Sequence, residues 1–140
     1  MFVSDSDDRG RTWSAPTTLR AEGLNVAPRV AASRSGLTAV AWYGANATGE
    51  PEDVPEGTSW HVDVASRAPG AASWQVAEAG AVRAGPLCLR LQNCTAIGGQ
   101  YDWLGAGIGP GERVSVAYVA EDAAMTQSPT KQHVMFVAGP

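Results

Sequence analysis

The stretch "SDSDDRGRTWSAP", from Ser4 to Pro16, contains three aspartates, a glycine and a Thr-Trp pair. Such a stretch can be a metal-binding loop, a catalytic carboxylate cluster or a turn between two strands. A calcium loop of the EF-hand type needs ligands that continue to a glutamate at its twelfth position, whereas the segment from Trp13 to Pro16 follows here. The sequence therefore favours a structural turn, and it predicts no metal ion at this place.

Three residues of this turn have a defined physical role. The Asp8 carboxylate can accept hydrogen bonds from the backbone N–H groups that follow it, and Gly10 supplies a backbone conformation that other residues resist. Trp13 can then pack its ring onto the sheet, because burial of an aromatic side chain of this size is worth about 1.5 to 3 kcal/mol. We therefore expect the stretch to act as a folding element.

Short apolar segments, separated by Gly, Pro, Asn and Ser, fill the rest of the chain, and helical periodicity is nearly absent. This pattern is typical of an all-β protein. The predicted strands span residues 1–4, 15–20, 28–33, 37–43, 60–66, 73–79, 101–108, 113–120 and 133–138.

The predicted central strands are apolar on both faces. In the strand at 37–43, Ala41 and Tyr43 point to one face, while Val40 and Trp42 point to the other. A sheet with two apolar faces must be covered on both sides, and its small residues let a neighbouring sheet approach closely. The pattern predicts sheets that stack against one another, as the blades of a propeller do.

The chain also contains an internal repeat. An apolar strand followed by a Ser-rich turn and a tryptophan occurs at Trp13 and again at Trp74, and the final strand at 133–138 is a third segment of the same kind. The strand pairs within 28–43 and 102–119 align with each other by eye. We infer about two repeat units of four strands, entered in the middle of a unit.

The opening stretch resembles a known motif. Its residues fit the pattern Ser/Thr-x-Asp-x-Gly-x-Thr-Trp of the Asp box, or BNR repeat, found in sialidases and related β-propellers. The matching residues are Ser6, Asp8, Gly10, Thr12 and Trp13. A degenerate second copy keeps Ser66, Gly70 and Trp74, but Ala68 replaces the aspartate and one residue is inserted before the tryptophan.

The resemblance implies a fold of β-propeller blades, each a four-stranded antiparallel sheet, in what would be part of a six-bladed propeller. On this scheme residues 1–27 end one blade, 28–79 form one full blade, 80–100 form a long loop and 101–140 begin a third blade. Such a piece leaves sheet edges and apolar faces uncovered. It would therefore need further blades in the same protein, or a homo-oligomer such as a trimer.

In sialidase-like propellers the Asp box lies on the turn between the third and fourth strands of a blade, opposite the active site. The connections at 33–37 and 108–113 are short, as this scheme requires for turns on the same side as the box. The connections at 44–59, 80–100 and 121–132 are long. Because long loops in compact folds commonly carry function, we expect a ligand site on the side away from the box.

Sialidases hold the carboxylate of their substrate with an arginine cluster, and they use a tyrosine nucleophile assisted by a glutamate, with an aspartate as acid/base. A planar guanidinium suits a carboxylate, and a neutral tyrosine is not repelled by an anionic sugar. Arg83, Arg90, Tyr101 and Asp102 are the ligand-binding candidates, with Glu121 nearby in "VAYVAED". The N-terminal arginine motif of sialidases has no counterpart here, so the catalytic residues stay unassigned.

The resemblance implies a glycan or glycoconjugate as partner, and exo-sialidase hydrolysis if a full site is present. The alternative is a non-catalytic propeller that binds carbohydrate or protein. No cofactor is implied in either case. The resemblance also suggests a secreted or cell-surface location.

Composition excludes some partners. The formal net charge is -4, and a single lysine, Lys131, accompanies nine arginines, so no basic stripe for nucleic acid is expected. No apolar run reaches the roughly 18 residues of a transmembrane segment. Cys88 and Cys94 can close a small disulfide loop worth about 2 kcal/mol, which would indicate an oxidising compartment, or they can be two free thiols.

Overall fold

The computed structural model describes residues 1–89, 101, 103–121 and 132–138. Within these ranges the chain is all-β, and it forms three antiparallel sheets without an α-helix. The sequence-based prediction of an all-β fold is therefore confirmed. Arg90, Cys94 and Asp102 lie outside the described residues, so the predictions made for these three stay untested.

The described residues form nine strands. Their bounds are β1 Phe2–Val3, β2 Thr17–Thr18, β3 Leu24–Ala32, β4 Thr38–Ala45, β5 Ser59–Arg67, β6 Gln75–Ala84, β7 Leu104–Gly109, β8 Arg113–Glu121 and β9 Gln132–Ala138. The first sheet contains β1 and β2, the second contains β3 to β6 in sequence order, and the third contains β7 to β9 in sequence order. A short 3-10 turn at Pro110–Glu112 joins β7 to β8.

The second sheet separates two apolar clusters. Tyr43 and Val62, which pair across β4 and β5, point into the main core shared with the third sheet. Val40 and Trp42 point to the opposite face, where Leu19 from the end of the first sheet packs against them. Because successive side chains of a strand alternate between faces, one sheet contributes to both clusters. The predicted facing of strand 37–43 is thus confirmed.

The third sheet packs on the second. β7 lies against β3 and β4, and β8 lies against β6. The side chains of Leu104, Val116 and Tyr118 enter the main core, and the Tyr43 hydroxyl donates a hydrogen bond to the Trp103 carbonyl at 3.1 Å. The three sheets therefore follow one another in a stack, with the second sheet in the middle.

The two ends of the stack differ. Arg67, at the end of β5, donates two hydrogen bonds to Asp5 in the β1–β2 connection. Ser33 and Ser35, in the β3–β4 turn, each donate to the Glu112 carboxylate at 2.8 Å. These contacts place the connections 4–16, 33–37, 68–74 and 110–112 at one end, here named the turn end. The opposite end, which carries the connection 46–58 and residues 85–89, is named the loop end.

Two strands extend beyond their predicted bounds by four or more residues. β3 begins at Leu24 instead of residue 28, because a bulge between Val26 and Arg29 accommodates Pro28 within the strand. β6 continues to Ala84 instead of ending at residue 79. Residues 80–84 were predicted to begin a long loop, so this part of the prediction is wrong, and Arg83 lies on a strand.

Gly80 explains why β6 continues where a glycine suggested a break. A Cβ atom at this position would lie 2.3 Å from the Tyr118 hydroxyl oxygen. The glycine therefore makes room for a buried tyrosine of the neighbouring sheet. Glycine inside a strand often marks such a close approach.

Candidate functional site

The Asp-box stretch at the turn end is held together by the Asp8 carboxylate. Its Oδ1 accepts hydrogen bonds from the backbone N–H groups of Arg11 and Thr12, both at 2.9 Å, and its Oδ2 accepts one from the Thr12 hydroxyl at 2.8 Å. The Ser6 hydroxyl donates to Asp8 and accepts from the Gly10 N–H at 2.7 Å. The expected role of Asp8 as an acceptor for the following backbone is confirmed.

These bonds change the acidity of Asp8. Hydrogen bonds from the backbone and the hydroxyl of Thr12 stabilise the charged carboxylate, and they lower its pKa from 3.8 to about 2. Gly10 has φ +83°, in the left-handed region that glycine tolerates best, which is the role predicted for it. The stretch is thus a negatively charged turn in which residues of the same turn donate hydrogen bonds to both oxygens of the Asp8 carboxylate.

Trp13 departs from the prediction. Its side chain is 65% exposed, so it does not pack into the sheet as expected. Trp74, the tryptophan of the degenerate copy, packs on the Val40 and Trp42 face of the second sheet, between that sheet and the first. The first sheet has only two short strands among the described residues, so Trp13 lacks the equivalent surface to cover.

A polar cluster lies at the loop end, between the second and third sheets. It is formed by Arg83 near the end of β6, Tyr101 just before β7 and Glu121 at the end of β8. The backbone N–H of Tyr101 donates to the Cys88 carbonyl at 2.9 Å, which fixes the chain that enters β7. The cluster and the Asp box therefore lie at opposite ends of the stack.

The three side chains contact one another directly. The Tyr101 hydroxyl donates to the Glu121 Oε1 at 2.8 Å, and the Arg83 Nη1 lies 3.2 Å from the same oxygen. Arg83 also donates to the Tyr101 hydroxyl at 3.4 Å, and its guanidinium carbon lies 5.2 Å from the centre of the Tyr101 ring. The geometry is that of a tyrosine whose proton points at a carboxylate, with a cation beside both groups.

Burial controls the electrostatics of this cluster. Tyr101 is fully buried, and the Arg83 side chain is 9% exposed, whereas the Glu121 side chain is 26% exposed. Burial raises the pKa of Tyr101 well above its ordinary value of 10, and the hydrogen bond to Glu121 raises it further. Arg83 and the side chain of Gln132 act in the opposite direction. Tyr101 is therefore held as a neutral phenol at physiological pH.

The structure brings together two of the four predicted ligand-binding residues, Arg83 and Tyr101. Their shared partner Glu121 was noted in the sequence but not included among the four candidates. The antiparallel pairing of β7 with β8, in which Leu104 lies opposite Tyr118, brings Glu121 beside Tyr101. Arg90 and Asp102 lie outside the described residues.

Cys88 is part of a disulfide. Its expected partner, Cys94, lies outside the described residues, so the pairing of these two cysteines stays a prediction.

A second polar cluster, which sequence reasoning missed, lies between the first and second sheets. Arg20 forms an ion pair with Asp63, and its Nη1 lies 2.8 Å from the His61 Nε2, which is 3.3 Å from Asp63. A Cβ atom on Gly44 would lie 2.6 Å from the Asp63 carboxylate. The glycine therefore leaves the space that this cluster occupies.

A sequence signal for this cluster exists. "LRAEG" contains Arg20 and "VRAG" contains Arg83, and each arginine lies at the end, or just beyond the end, of the strand that follows an Asp-box position. Both arginines bind a carboxylate of the sheet that follows in the chain, Asp63 in one case and Glu121 in the other. The repeat thus places one arginine at the loop end of each interface between sheets.

Across the described ranges, no group of three or more His, Cys, Asp or Glu side chains could hold a metal ion. The same ranges include no helix with the length and apolarity to span a bilayer. Comparisons with protein-family models, with curated proteins and with solved structures found no match for this chain.

Proposed function

We propose that the chain is part of a sialidase-like Asp-box β-propeller and that the cluster of Arg83, Tyr101 and Glu121 is its sugar-binding site. The observation that carries this proposal is the hydrogen bond from the Tyr101 hydroxyl to Glu121 at 2.8 Å, beside the Arg83 guanidinium. A tyrosine paired with a glutamate next to an arginine is the arrangement that the Asp-box resemblance implies for an enzyme of this kind.

The position of the cluster supports the proposal. It lies at the loop end, away from the Asp box, on the side where the resemblance places a ligand site. The second sheet supports the proposal because it contains four antiparallel strands in sequence order, the arrangement that the resemblance implies for a blade. The degenerate box at 66–74 connects the third and fourth strands of that sheet, which is the place the resemblance gives to the box.

In the hydrolytic form of this proposal, the Tyr101 oxygen bonds to the anomeric carbon of a sialoside while the bond from that carbon to the aglycone oxygen breaks, and Glu121 accepts the phenolic proton. The aglycone takes a proton from water and leaves as an alcohol. The hydroxide so formed then displaces the tyrosine oxygen from the sugar, which releases sialic acid, and Tyr101 recovers its proton from Glu121. Arg83 stabilises the negative charge that develops on the tyrosine, and it contacts the carboxylate of the sugar. The raised pKa of Tyr101 requires that the proton leave during the attack, since a free phenolate is not populated at neutral pH.

A specific observation favours the second candidate, a non-catalytic glycan-binding protein. Tyr101 is fully buried, and Arg83 already binds Glu121. In this arrangement the more exposed Glu121 contacts the sugar through hydrogen bonds, while Arg83 and Tyr101 hold the Glu121 carboxylate in place. Binding without turnover then results.

The disulfide at Cys88 supports a secreted or cell-surface location as part of the same proposal, because disulfides persist in oxidising compartments.

Turnover of a fluorogenic sialoside, together with sialic acid binding followed by NMR, tests the proposal. The variants are Tyr101→Phe and Glu121→Gln, and the matched control is Tyr118→Phe, which alters another buried tyrosine of the same core. Turnover that both site variants abolish supports the enzyme. Binding without turnover that Glu121→Gln weakens supports the second candidate. Absence of both binding and turnover in the wild-type chain rejects the proposal.

A further inference from the structure

Gln132 lies beside the proposed sugar-binding site. It begins β9, and it lies directly opposite Glu121 in the antiparallel pair of β8 and β9. Directly opposed residues of such a pair have Cβ atoms about 4.5 to 5.5 Å apart. The pairing therefore brings an amide to the same place in the sheet as the carboxylate that accepts from Tyr101.

The Gln132 side chain forms a hydrogen bond with the Tyr101 hydroxyl. A phenol has a single proton, and the proton of Tyr101 is donated to the Glu121 Oε1 at 2.8 Å. The amide therefore donates one of its N–H groups to the phenolic oxygen. The direction of its effect agrees, because this hydrogen bond lowers the pKa of Tyr101, as donation to the ionised form does.

The Tyr101 oxygen thus accepts hydrogen bonds from two nitrogen donors. The Arg83 Nη1 lies 3.4 Å from it, and the Gln132 amide supplies the second donor. A buried neutral phenol is satisfied by one acceptor for its proton, so it does not require two donors on its oxygen. Two N–H groups directed at one oxygen are the arrangement that stabilises an oxyanion.

The two donors complement each other. The Arg83 Nη1 lies 3.2 Å from the Glu121 carboxylate and 3.4 Å from the phenolic oxygen, so its charge acts on both ends of the proton's path. The Gln132 amide is neutral, and its hydrogen bond favours negative charge on the phenolic oxygen. The amide therefore assists the departure of the proton from Tyr101.

We propose that Gln132 is a catalytic residue of this site, whose amide stabilises the negative charge that develops on the Tyr101 oxygen as its proton passes to Glu121. The electron pair of the broken O–H bond stays on the tyrosine oxygen and forms the bond to the anomeric carbon, while the aglycone leaves with the electron pair of its own bond. This inference rests on the proposed function. It favours the hydrolytic form, because a site that only binds sugar has no use for a stabilised phenolate.

Ionisation of the tyrosine at position 101 tests the inference without a substrate. When 3-fluorotyrosine takes the place of Tyr101, the phenol is more acidic, and its fluorine NMR signal reports the titration of this residue alone. Gln132→Met keeps the length of the side chain and removes the donor, so we expect the pKa of the phenol to rise by about one unit. Gln132→Ala repeats the measurement with a smaller side chain and is expected to give the same rise.

The matched control is Gln75→Met, the same change at an exposed position at the turn end, and it is expected to leave the pKa of the phenol unchanged. Gln132 is half-buried at the start of β9, so circular dichroism is expected to show that its variants fold. An unchanged pKa in both Gln132 variants overturns the inference, even when the wild-type chain hydrolyses a sialoside.

Kinetics gives a second measurement. In a wild-type chain that turns over a fluorogenic sialoside, Gln132→Met is expected to lower kcat by about tenfold and to leave KM nearly unchanged, because the amide acts on charge that develops in the transition state. A rise in KM with unchanged kcat contradicts the inference. A wild-type chain that neither binds nor hydrolyses rejects the proposed function, and the pKa measurement then still decides whether Gln132 stabilises the phenolate.

Discussion

The Tyr101 hydroxyl donates a hydrogen bond to the Glu121 carboxylate at 2.8 Å, and this bond ties the chain that enters the third sheet to the end of β8. Glu121 is the more exposed partner, so it lies nearer the solvent than the phenol it accepts from. The hydrogen bond therefore connects the buried, neutral phenol of Tyr101 with the Glu121 carboxylate, which a ligand can approach.

The first prediction concerns stability at high pH. Tyr101 has a raised pKa in the folded state, so between pH 10 and that higher pKa the folded protein binds more protons than the unfolded chain. The contribution of the neutral Tyr101 phenol to the free energy of unfolding is fully present below pH 10, and it is lost as the pH rises from 10 through the higher pKa of the folded state. Urea unfolding at several pH values measures this loss.

The matched variant for this prediction is Tyr101→Phe, which removes the titrating group. We expect its stability to fall less steeply above pH 10 than that of the wild-type chain, although other tyrosines still contribute. If the free energy of unfolding fell equally steeply with pH in the two proteins, Tyr101 would ionise at its ordinary pKa and the prediction would be wrong.

The second prediction concerns the Asp-box turn. Because the pKa of Asp8 is about 2, its hydrogen bonds persist below pH 3.8 and are lost as the pH falls through about 2. Asp8→Ala removes the acceptor at every pH, and we expect faster amide hydrogen exchange at Arg11 and Thr12. An NMR titration of the carboxyl carbon gives the pKa. Unchanged exchange in the variant would contradict the role of Asp8.

The third prediction concerns the space above Gly44. A Cβ atom there would meet the Asp63 carboxylate at 2.6 Å and the His61 Nε2 at 2.8 Å. We expect Gly44→Ala to destabilise the fold by about 1 to 3 kcal/mol, because the side chains of a packed polar cluster must move. Gly57→Ala is the control, since its added Cβ meets no atom within 4 Å. Similar unfolding midpoints for the two variants would refute the expectation.

The fourth prediction concerns Gly80 and Tyr118. The Cβ of Gly80→Ala would lie 2.3 Å from the Tyr118 hydroxyl oxygen, so we expect the variant to lose about 1 to 3 kcal/mol of stability. Tyr118→Phe removes that oxygen. In a double-mutant cycle, Gly80→Ala is therefore expected to cost much less in the Tyr118→Phe background, and additive effects would count against direct contact.

Much of the fold could be predicted because its signals are local. Alternation along 37–43 correctly assigns Tyr43 and Trp42 to opposite faces, and turn residues mark the ends of most strands. The end of β6 could not be predicted in this way. Gly80 is a break signal in the sequence, and only the Tyr118 hydroxyl of another sheet shows why the strand needs a glycine there.

The candidate site was less predictable than the fold. Arg83 is predicted as a suitable residue type in a long loop and Tyr101 as one at the start of a strand, but Arg83 lies on β6 and Tyr101 lies before β7 begins. Glu121 enters the site through strand pairing, which brings together residues distant in sequence. The cluster of Arg20, His61 and Asp63 was missed because its members belong to two sheets, and their contact depends on the absence of a side chain at Gly44.

Arg67 binds Asp5 with two hydrogen bonds, while its guanidinium lies over the Trp74 ring at 4.7 Å. Together with the bonds from Ser33 and Ser35 to Glu112, this contact ties consecutive sheets to one another at the turn end. At the other end, the connection 46–58 combines buried residues such as Val54, which packs in the main core, with exposed positions whose side chains do not. For protein engineering, the molecule offers a scaffold whose new specificities can be selected by randomising the exposed positions 46, 48–50, 53 and 55–57 while the turn end is left intact.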